Sequence, residues 1–207
     1  GEAVEDYTLG SADWIHRMEI SGGNRSFISP NDKGDPDTYL GTNWYTGASD
    51  NGGVHTNSGV QNFWFYVLSV GKSGTNDNGD TYAVTGITIE KARMIAYDCM
   101  IGLISRSQYT NARSVSIQKA KDRYGDCSNE AKQCTNAWRA VGVGSAYIAP
   151  LPLAINVCPN TCATIAKRIT MLQPHKLCGT TRSSNNKATT INNNAHMGLL
   201  IIIIDDA

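Results

Sequence analysis

The sequence has 207 residues, and its 18 basic and 18 acidic side chains give a formal net charge of zero at pH 7. Without a net positive charge, the chain has no global field to hold nucleic acid or an anionic membrane, so we expect neither as a partner. The longest apolar run, residues 199–204, falls far short of the ~20 residues that a membrane helix needs. We therefore expect no membrane span, while a hydrophobic content of 41% is enough for a core.

The composition also bears on where the protein works. Charged residues make up 17% of the chain, and Gly, Asn, Thr and Ser are abundant, as in loop-rich secreted proteins. Six cysteines permit disulfides without proving an oxidising compartment. The sequence begins at Gly1 with no basic, signal-like segment, which indicates a processed or truncated N-terminus. We expect a secreted, extracellular protein.

Turn-forming residues dominate the first quarter of the chain, so residues 1–57 are predicted to be mostly irregular. Helical periodicity then begins. Residues 58–69 carry apolar side chains at helical spacing, and Gly71 is expected to end that helix. A polar loop at residues 74–79 and a short extended segment at residues 82–84 are expected next. The apolar positions of the first helix are Val60, Trp64 and Val67.

Three further helices are predicted before residue 144. Gly125 is expected to end the second, and Ser128 to cap the third. Four helices with short connections predict a mainly α-helical bundle for residues 1–144. Residues 145–207 change in character and are predicted to be an irregular tail, possibly containing a strand. The apolar stripes are Ala92, Ile95, Ala96, Cys99, Met100 and Leu103, then Tyr109, Ala112, Ser116 and Ala120, then Ala131, Cys134, Trp138 and Val141.

The segment at residues 50–60, DNGGVHTNSGV, carries the strongest chemical signal. Two glycines allow a tight turn just before His55, and residues 56–58 are natural caps for the helix that follows. An imidazole fixed at such a junction, with the carboxylate of Asp50 nearby, is suited to proton transfer or to stabilising an oxyanion.

This segment resembles the active-site histidine segment of the thermolysin family of zinc metallopeptidases. The resemblance runs in order along residues 4–144, and its wording is most similar to secreted enzymes of Bacteroidetes-type bacteria. It implies the predominantly helical C-terminal lobe of the thermolysin-like fold. The matching segments are residues 4–7 (VEDY), 11–14 (SADW), 24–27 (NRSF), 34–39 (GDPDTY), 43–47 (NWYTG), 85–87 (TGI) and 136–144 (NAWRAVGVG).

The resemblance implies a role for each of four residues in cleaving a peptide. His55 would hydrogen-bond the oxyanion of the tetrahedral intermediate, and Asp50 would orient the imidazole and favour its charged form. Arg25 would bind the substrate carbonyl beyond the scissile bond. Asn24 stands in the substrate pocket where the family usually has leucine.

The resemblance also implies a structural calcium site. Glu5 and Asp13 match positions where the family has acidic ligands for calcium, a cation that takes oxygen donors. Met18 and Ile15 stand where further calcium-binding acids are expected, so the site is predicted to be weakened or lost. Because these partners are missing, Glu5 and Asp13 are predicted to be solvated or helix-terminal acids in preference to calcium ligands, and calcium binding stays the alternative.

The zinc half of the family's active site is missing from this sequence. Its four histidines are His16, His55, His175 and His196, so no H-E-x-x-H motif occurs. Two hypotheses follow. The chain is part of a secreted zinc endopeptidase whose zinc-bearing N-terminal lobe is separate or supplied by another chain. Alternatively, it is an inactive, peptidase-derived module that self-associates through its lobe interface or apolar tail.

The cysteines and the tail give weaker signals. Cys127 and Cys134 can form a disulfide only if Cys127 precedes the helix, and Cys99 is predicted to be a buried apolar residue. Cys158, Cys162, His175 and Cys178 favour disulfides over a metal site. Residues 199–204 are predicted to form a strand that can self-associate.

Overall fold

The computed structural model describes residues 2–16 and 25–149. Within these ranges the chain forms six α-helices, four short strands and one 3-10 helix. In chain order the elements are α1 (Glu2–Leu9), β1 (Ile15–His16), β2 (Arg25–Ser26), the 3-10 helix (Pro30–Lys33), α2 (Asp50–Asn57), α3 (Gly59–Val70), β3 (Gly71–Thr75), β4 (Thr81–Thr85), α4 (Ile89–Gly102), α5 (Tyr109–Tyr124) and α6 (Asn129–Ala140).

Helix α3 lies at the centre of the core. It packs against α4 and α6, and its apolar side chains are more than 95% buried along much of its length. The indole rings of Trp64 and Trp138 stack with centroids 4.9 Å apart and an interplanar angle of 28°. Such stacking adds to the hydrophobic gain of burying two large rings. The mainly α-helical fold that the periodicity predicted is therefore confirmed.

Helices α5 and α6 complete the bundle around a buried hydroxyl. Ser116 is fully buried, and its Oγ accepts a 2.7 Å hydrogen bond from Nε1 of Trp138. Cys99 and Cys134 are buried free thiols in the same core, and burial raises the pKa of each to about 12. They behave as small apolar residues, as the sequence predicted for Cys99.

A β-hairpin follows α3 and packs against α6. Gly71 ends α3 with a φ of 88°, as predicted. Strands β3 and β4 are antiparallel. Gly71 pairs with Thr85 at one end of the hairpin, and Thr75 pairs with Thr81 at the other. The predicted polar loop at residues 74–79 was placed too early, because ladder pairing extends to Thr75 and the turn occupies residues 76–80. The predicted extended segment at residues 82–84 lies within β4.

Of the predictions for helix ends, irregular segments and cysteines, some are confirmed and others are not. Gly125 follows α5, and Oγ of Ser128 caps α6 by accepting from the amide of Ala131 at 3.1 Å, both as predicted. Residues 1–57 are less irregular than expected, because α1 and α2 lie there. Cys127 does precede α6, but Cys127 and Cys134 are both free thiols, so no disulfide joins them.

Several predictions lie beyond the described residues. These concern Asn24, Met18, the cysteine set at residues 158–178 and the strand at residues 199–204. The domain boundary near residue 145 stays a prediction. Among the described residues, no helix is long and apolar enough to cross a membrane.

Candidate active site

A left-handed turn positions the histidine predicted to be catalytic. Four consecutive residues at the start of α2 have positive φ: Asp50 (55°), Asn51 (50°), Gly52 (84°) and Gly53 (82°). Glycine adopts this conformation without steric cost, and Asp and Asn tolerate it better than other residues do. The chain then turns right-handed, so the first residue of α2 is folded back toward the sixth.

This reversal brings Asp50 against His55 at two points. Oδ1 of Asp50 lies 2.6 Å from Nδ1 of His55, and Oδ2 accepts the backbone N–H of His55 at 3.0 Å. The side-chain hydrogen bond from His55 is the main reason that the pKa of Asp50 lies below its ordinary value. The structure thus brings together the acid and the histidine that the sequence paired.

The imidazole of His55 is presented to solvent in one orientation. Its side chain is 55% exposed, and Nδ1 is engaged by Asp50, so Nε2 is the nitrogen directed outward. When the ring carries both protons, Nε2 donates a hydrogen bond to an external oxygen. A carboxylate-held imidazole of this kind can stabilise an oxyanion at a fixed position.

Arg25 lies in β2, next to the start of α3. Its Nη1 contacts Oδ2 of Asp35 at 3.0 Å and Oγ of Ser58 at 3.3 Å. Asp35 is buried, and burial raises the pKa of its carboxyl although the neighbouring Arg25 acts in the opposite direction. The positive charge of Arg25 also contributes to lowering the pKa of Asp50. This contribution is the smallest of those that act on Asp50, so Arg25 lies within electrostatic reach of the Asp50–His55 pair.

Asn57 holds the turn against the preceding loop. Its side chain is almost fully buried, and it bonds the backbone of Tyr45 twice, at 2.9 and 3.1 Å, and the carbonyl of Gly52 at 3.1 Å. The sequence predicted residues 56–58 to be helix caps, which is wrong. No side chain caps α3 at Ser58, because the hydroxyl of Ser58 and the amide of Asn57 are engaged elsewhere.

A second cluster of acids lies near the N-terminus of the described chain. The carboxylate oxygens of Glu2, Glu5 and Asp13 lie within 4.8 Å of one another. Burial, and then the charge of Glu5, raise the pKa of Glu2 to about 7. Glu5 and Asp13 were predicted together, whereas Glu2 was missed, although it stands one helical turn before Glu5. Ile15 offers no carboxylate here and pairs with Ser26 across β1 and β2.

Fold and site together define a helical lobe with an exposed imidazole held by a carboxylate, and with a guanidinium that contacts a buried acid. The family description "Thermolysin metallopeptidase, alpha-helical domain" matches residues 2–143. The chain belongs to the thermolysin metallopeptidase family, through the alpha-helical domain of that family.

Individual relatives agree with this assignment. The chain is 38% identical to thermolysin of Alicyclobacillus acidocaldarius subsp. acidocaldarius over 152 residues, which cover 69% of this chain and 26% of the relative. It is 37% identical to bacillolysin of Bacillus cereus over 153 residues, covering 69% and 25%. Neutral protease B of Bacillus subtilis (strain 168) is 31% identical over 141 residues, covering 67% and 24%. The chain thus spans about a quarter of the length of these relatives.

Proposed function

We propose that this chain supplies the oxyanion-stabilising and substrate-binding side of a secreted zinc endopeptidase. The observation that carries the proposal is the pair of hydrogen bonds between Asp50 and His55, at 2.6 and 3.0 Å. The first bond fixes the rotation of the exposed imidazole ring, and the second holds the backbone of His55 against Asp50. A preorganised donor of this kind needs no rearrangement when charge develops on a peptide carbonyl.

Each side chain then has a defined task. Doubly protonated His55 donates from Nε2 to the oxygen that becomes negative when the scissile carbonyl is attacked. Asp50 keeps Nδ1 engaged, so that Nε2 faces the substrate. Arg25, held through Nη1, donates to the next carbonyl of the peptide and aligns it with the imidazole. Asn24 would line the neighbouring substrate pocket.

The zinc site of the family does not fit the residues that the structure describes. The H-E-x-x-H motif is missing, and the one cluster of three potential ligands in the described ranges consists of carboxylates alone. Oxygen-only sites suit hard cations rather than zinc. We propose that the zinc ligands belong to an N-terminal lobe or another chain, which is the expected partner at the face that carries His55.

Calcium fits the acidic cluster better. Three carboxylates held close together repel one another, and a divalent cation with oxygen ligands relieves that repulsion. We propose that Glu5 and Asp13 hold calcium, with Glu2 as a third donor. Thermal melts with and without calcium test this, because Glu5→Gln should remove the stabilisation by calcium. An equal calcium response in both proteins would contradict the site.

The peptidase proposal is tested on the protein made from the complete coding sequence. His55→Ala removes one oxyanion donor and should lower kcat on a peptide substrate by about 10²–10³-fold. The zinc content and melting temperature of the variant serve as controls, since His55 is not expected to bind zinc or support the core. Unchanged kcat at unchanged zinc content would refute the proposal.

The alternative is an inactive assembly module, favoured by three exposed apolar side chains. Tyr97, Ile101 and Ile104, on and just after α4, are 56%, 64% and 77% exposed. Such a patch suits contact with a second copy. Sedimentation of a zinc-free, inactive protein as an oligomer supports this alternative, whereas zinc-dependent cleavage by the protein excludes it.

A further inference from the structure

The hydroxyl of Ser58 links the side chain of Arg25 to the backbone of His55. Its Oγ donates a 2.7 Å hydrogen bond to the carbonyl oxygen of His55 and accepts a 3.3 Å hydrogen bond from Nη1 of Arg25. We infer that Ser58 is a positioning residue that fixes the guanidinium of Arg25 relative to the imidazole of His55. This inference rests on the proposed peptidase function.

The donor and acceptor roles of Ser58 follow from the atoms involved. A carbonyl oxygen and a guanidinium nitrogen cannot exchange roles, so the single hydroxyl proton goes to His55 and a lone pair goes to Arg25. The chain of bonds therefore runs in one direction, from Arg25 through Ser58 to the backbone of His55. Each bond in such a chain polarises the next.

Two acceptors on one nitrogen set the orientation of the guanidinium. Asp35 and Ser58 both contact Nη1, and Asp35 alone would leave the planar group free to swing about that single contact. With Nη1 held from two sides, its plane is fixed. Nη2 and Nε are then left to donate to a substrate carbonyl. Ser58 supplies the second restraint and, through its bond to His55, also ties that restraint to the oxyanion site.

The close packing of Asp35 against the start of α3 makes this geometry possible. A Cβ added at Gly59 would lie 2.8 Å from Cβ of Asp35 and overlap the carbonyl oxygen of Pro36. Only glycine lets the segment that carries Asp35 approach Ser58 so closely. Gly59 therefore lets Asp35 and Ser58 hold the same nitrogen of Arg25 from two sides.

A double-mutant cycle on the complete, zinc-containing protein tests the inference. Ser58→Ala should lower kcat/KM on a peptide substrate about tenfold, since it removes a hydrogen bond to a charged group. In an Arg25→Met background the same change should alter kcat/KM less than about twofold, because no guanidinium remains to be positioned. Ser58→Thr keeps the hydroxyl and should recover most of the lost kcat/KM.

Ser69→Ala is the matched control. Like Ser58→Ala, it removes a hydroxyl that donates to a backbone carbonyl at 2.7 Å, here that of Phe65, and Ser69 lies outside the site. We expect similar destabilisation without the loss of kcat/KM. Equal effects of Ser58→Ala with and without Arg25, or no effect at all, would overturn the inference. His55→Ala is measured in the same series: if it stays active the peptidase proposal itself fails, whereas an inactive His55→Ala with a fully active Ser58→Ala refutes only the role of Ser58.

Discussion

Replacing Gly53 with alanine tests whether the left-handed turn holds Asp50 and His55, the proposed catalytic pair. Gly53 has a φ of 82°, and an added Cβ would lie 2.7 Å from both Cβ and Cγ of Tyr45. The unfavourable backbone conformation costs alanine about 1–2 kcal/mol. Overpacking against a side chain whose own backbone is held costs about 1–3 kcal/mol more. Tyr45 cannot simply move away, because Asn57 bonds its amide and its carbonyl.

Gly79 provides a control with the same backbone geometry and no steric conflict. It also has a φ of 82°, but nothing lies within 4 Å of the position of its Cβ. Gly79→Ala should therefore lose only the backbone contribution of about 1–2 kcal/mol. The difference between the two variants isolates the contact with Tyr45.

Urea unfolding followed by tryptophan fluorescence gives the free energy of unfolding of each variant. The rate of peptide cleavage gives the activity of each variant. Gly53→Ala should lose about 2–5 kcal/mol in total by the sum of the two costs, and most of its activity. Gly79→Ala should remain fully active. Equal losses of stability in the two variants, or a fully active Gly53→Ala, would show that the turn does not constrain the site.

Three further outcomes are expected. Asp50→Asn should lower kcat/KM about tenfold, because it removes the charged hydrogen bond to His55. In a His55→Ala background the same substitution should not lower kcat/KM further. Additive losses of kcat/KM would show that Asp50 acts independently of His55. The fold raises the pKa of Glu2 from 4.5 to about 7, so the folded protein binds the proton of Glu2 more tightly than the unfolded chain does. Without calcium, the free energy of unfolding should therefore fall as the pH rises from 4.5 to about 7. Glu2→Gln should flatten this decline in melts between pH 4 and 8, and a decline of the same size in the variant would exclude Glu2 as its source. Ser116→Ala leaves the buried N–H of Trp138 without its acceptor and should destabilise the fold by about 1–3 kcal/mol in urea unfolding, whereas an unchanged midpoint would mean that another acceptor replaces it.

The helices of the core were predictable because each has a regular apolar stripe or a clear end. Gly71 and Gly125 stop their helices, and Ser128 starts one, for reasons local to a few residues. The pairing of Asp50 with His55 was also within reach, since a glycine pair between them indicates a tight turn. These features depend on short-range chemistry.

The remaining features depend on contacts between distant segments. Ser58 looks like a helix cap in sequence, but the fold places its hydroxyl between Arg25 and His55, and no local pattern reports that competition. In the sequence, Asp35 looks like one of several turn-forming acids. Its contact with Arg25 is visible only in the fold, where β2 places the two side chains together. Glu2 joins the acid cluster only because the loop after α1 brings Asp13 back against that helix, which no local pattern reports.

The two halves of the site differ in how far along the chain their partners lie. Asp50 and His55 are five residues apart, whereas Arg25 and Ser58 are 33 apart. A short loop closes at a small entropic cost, so the acid–histidine pair can form early in folding and re-form quickly after local opening. Arg25 can contact Ser58 only when β2 packs against the helical core. Partial opening of the lobe would therefore separate Arg25 from the Asp50–His55 pair and, under the proposed function, separate substrate binding from oxyanion stabilisation.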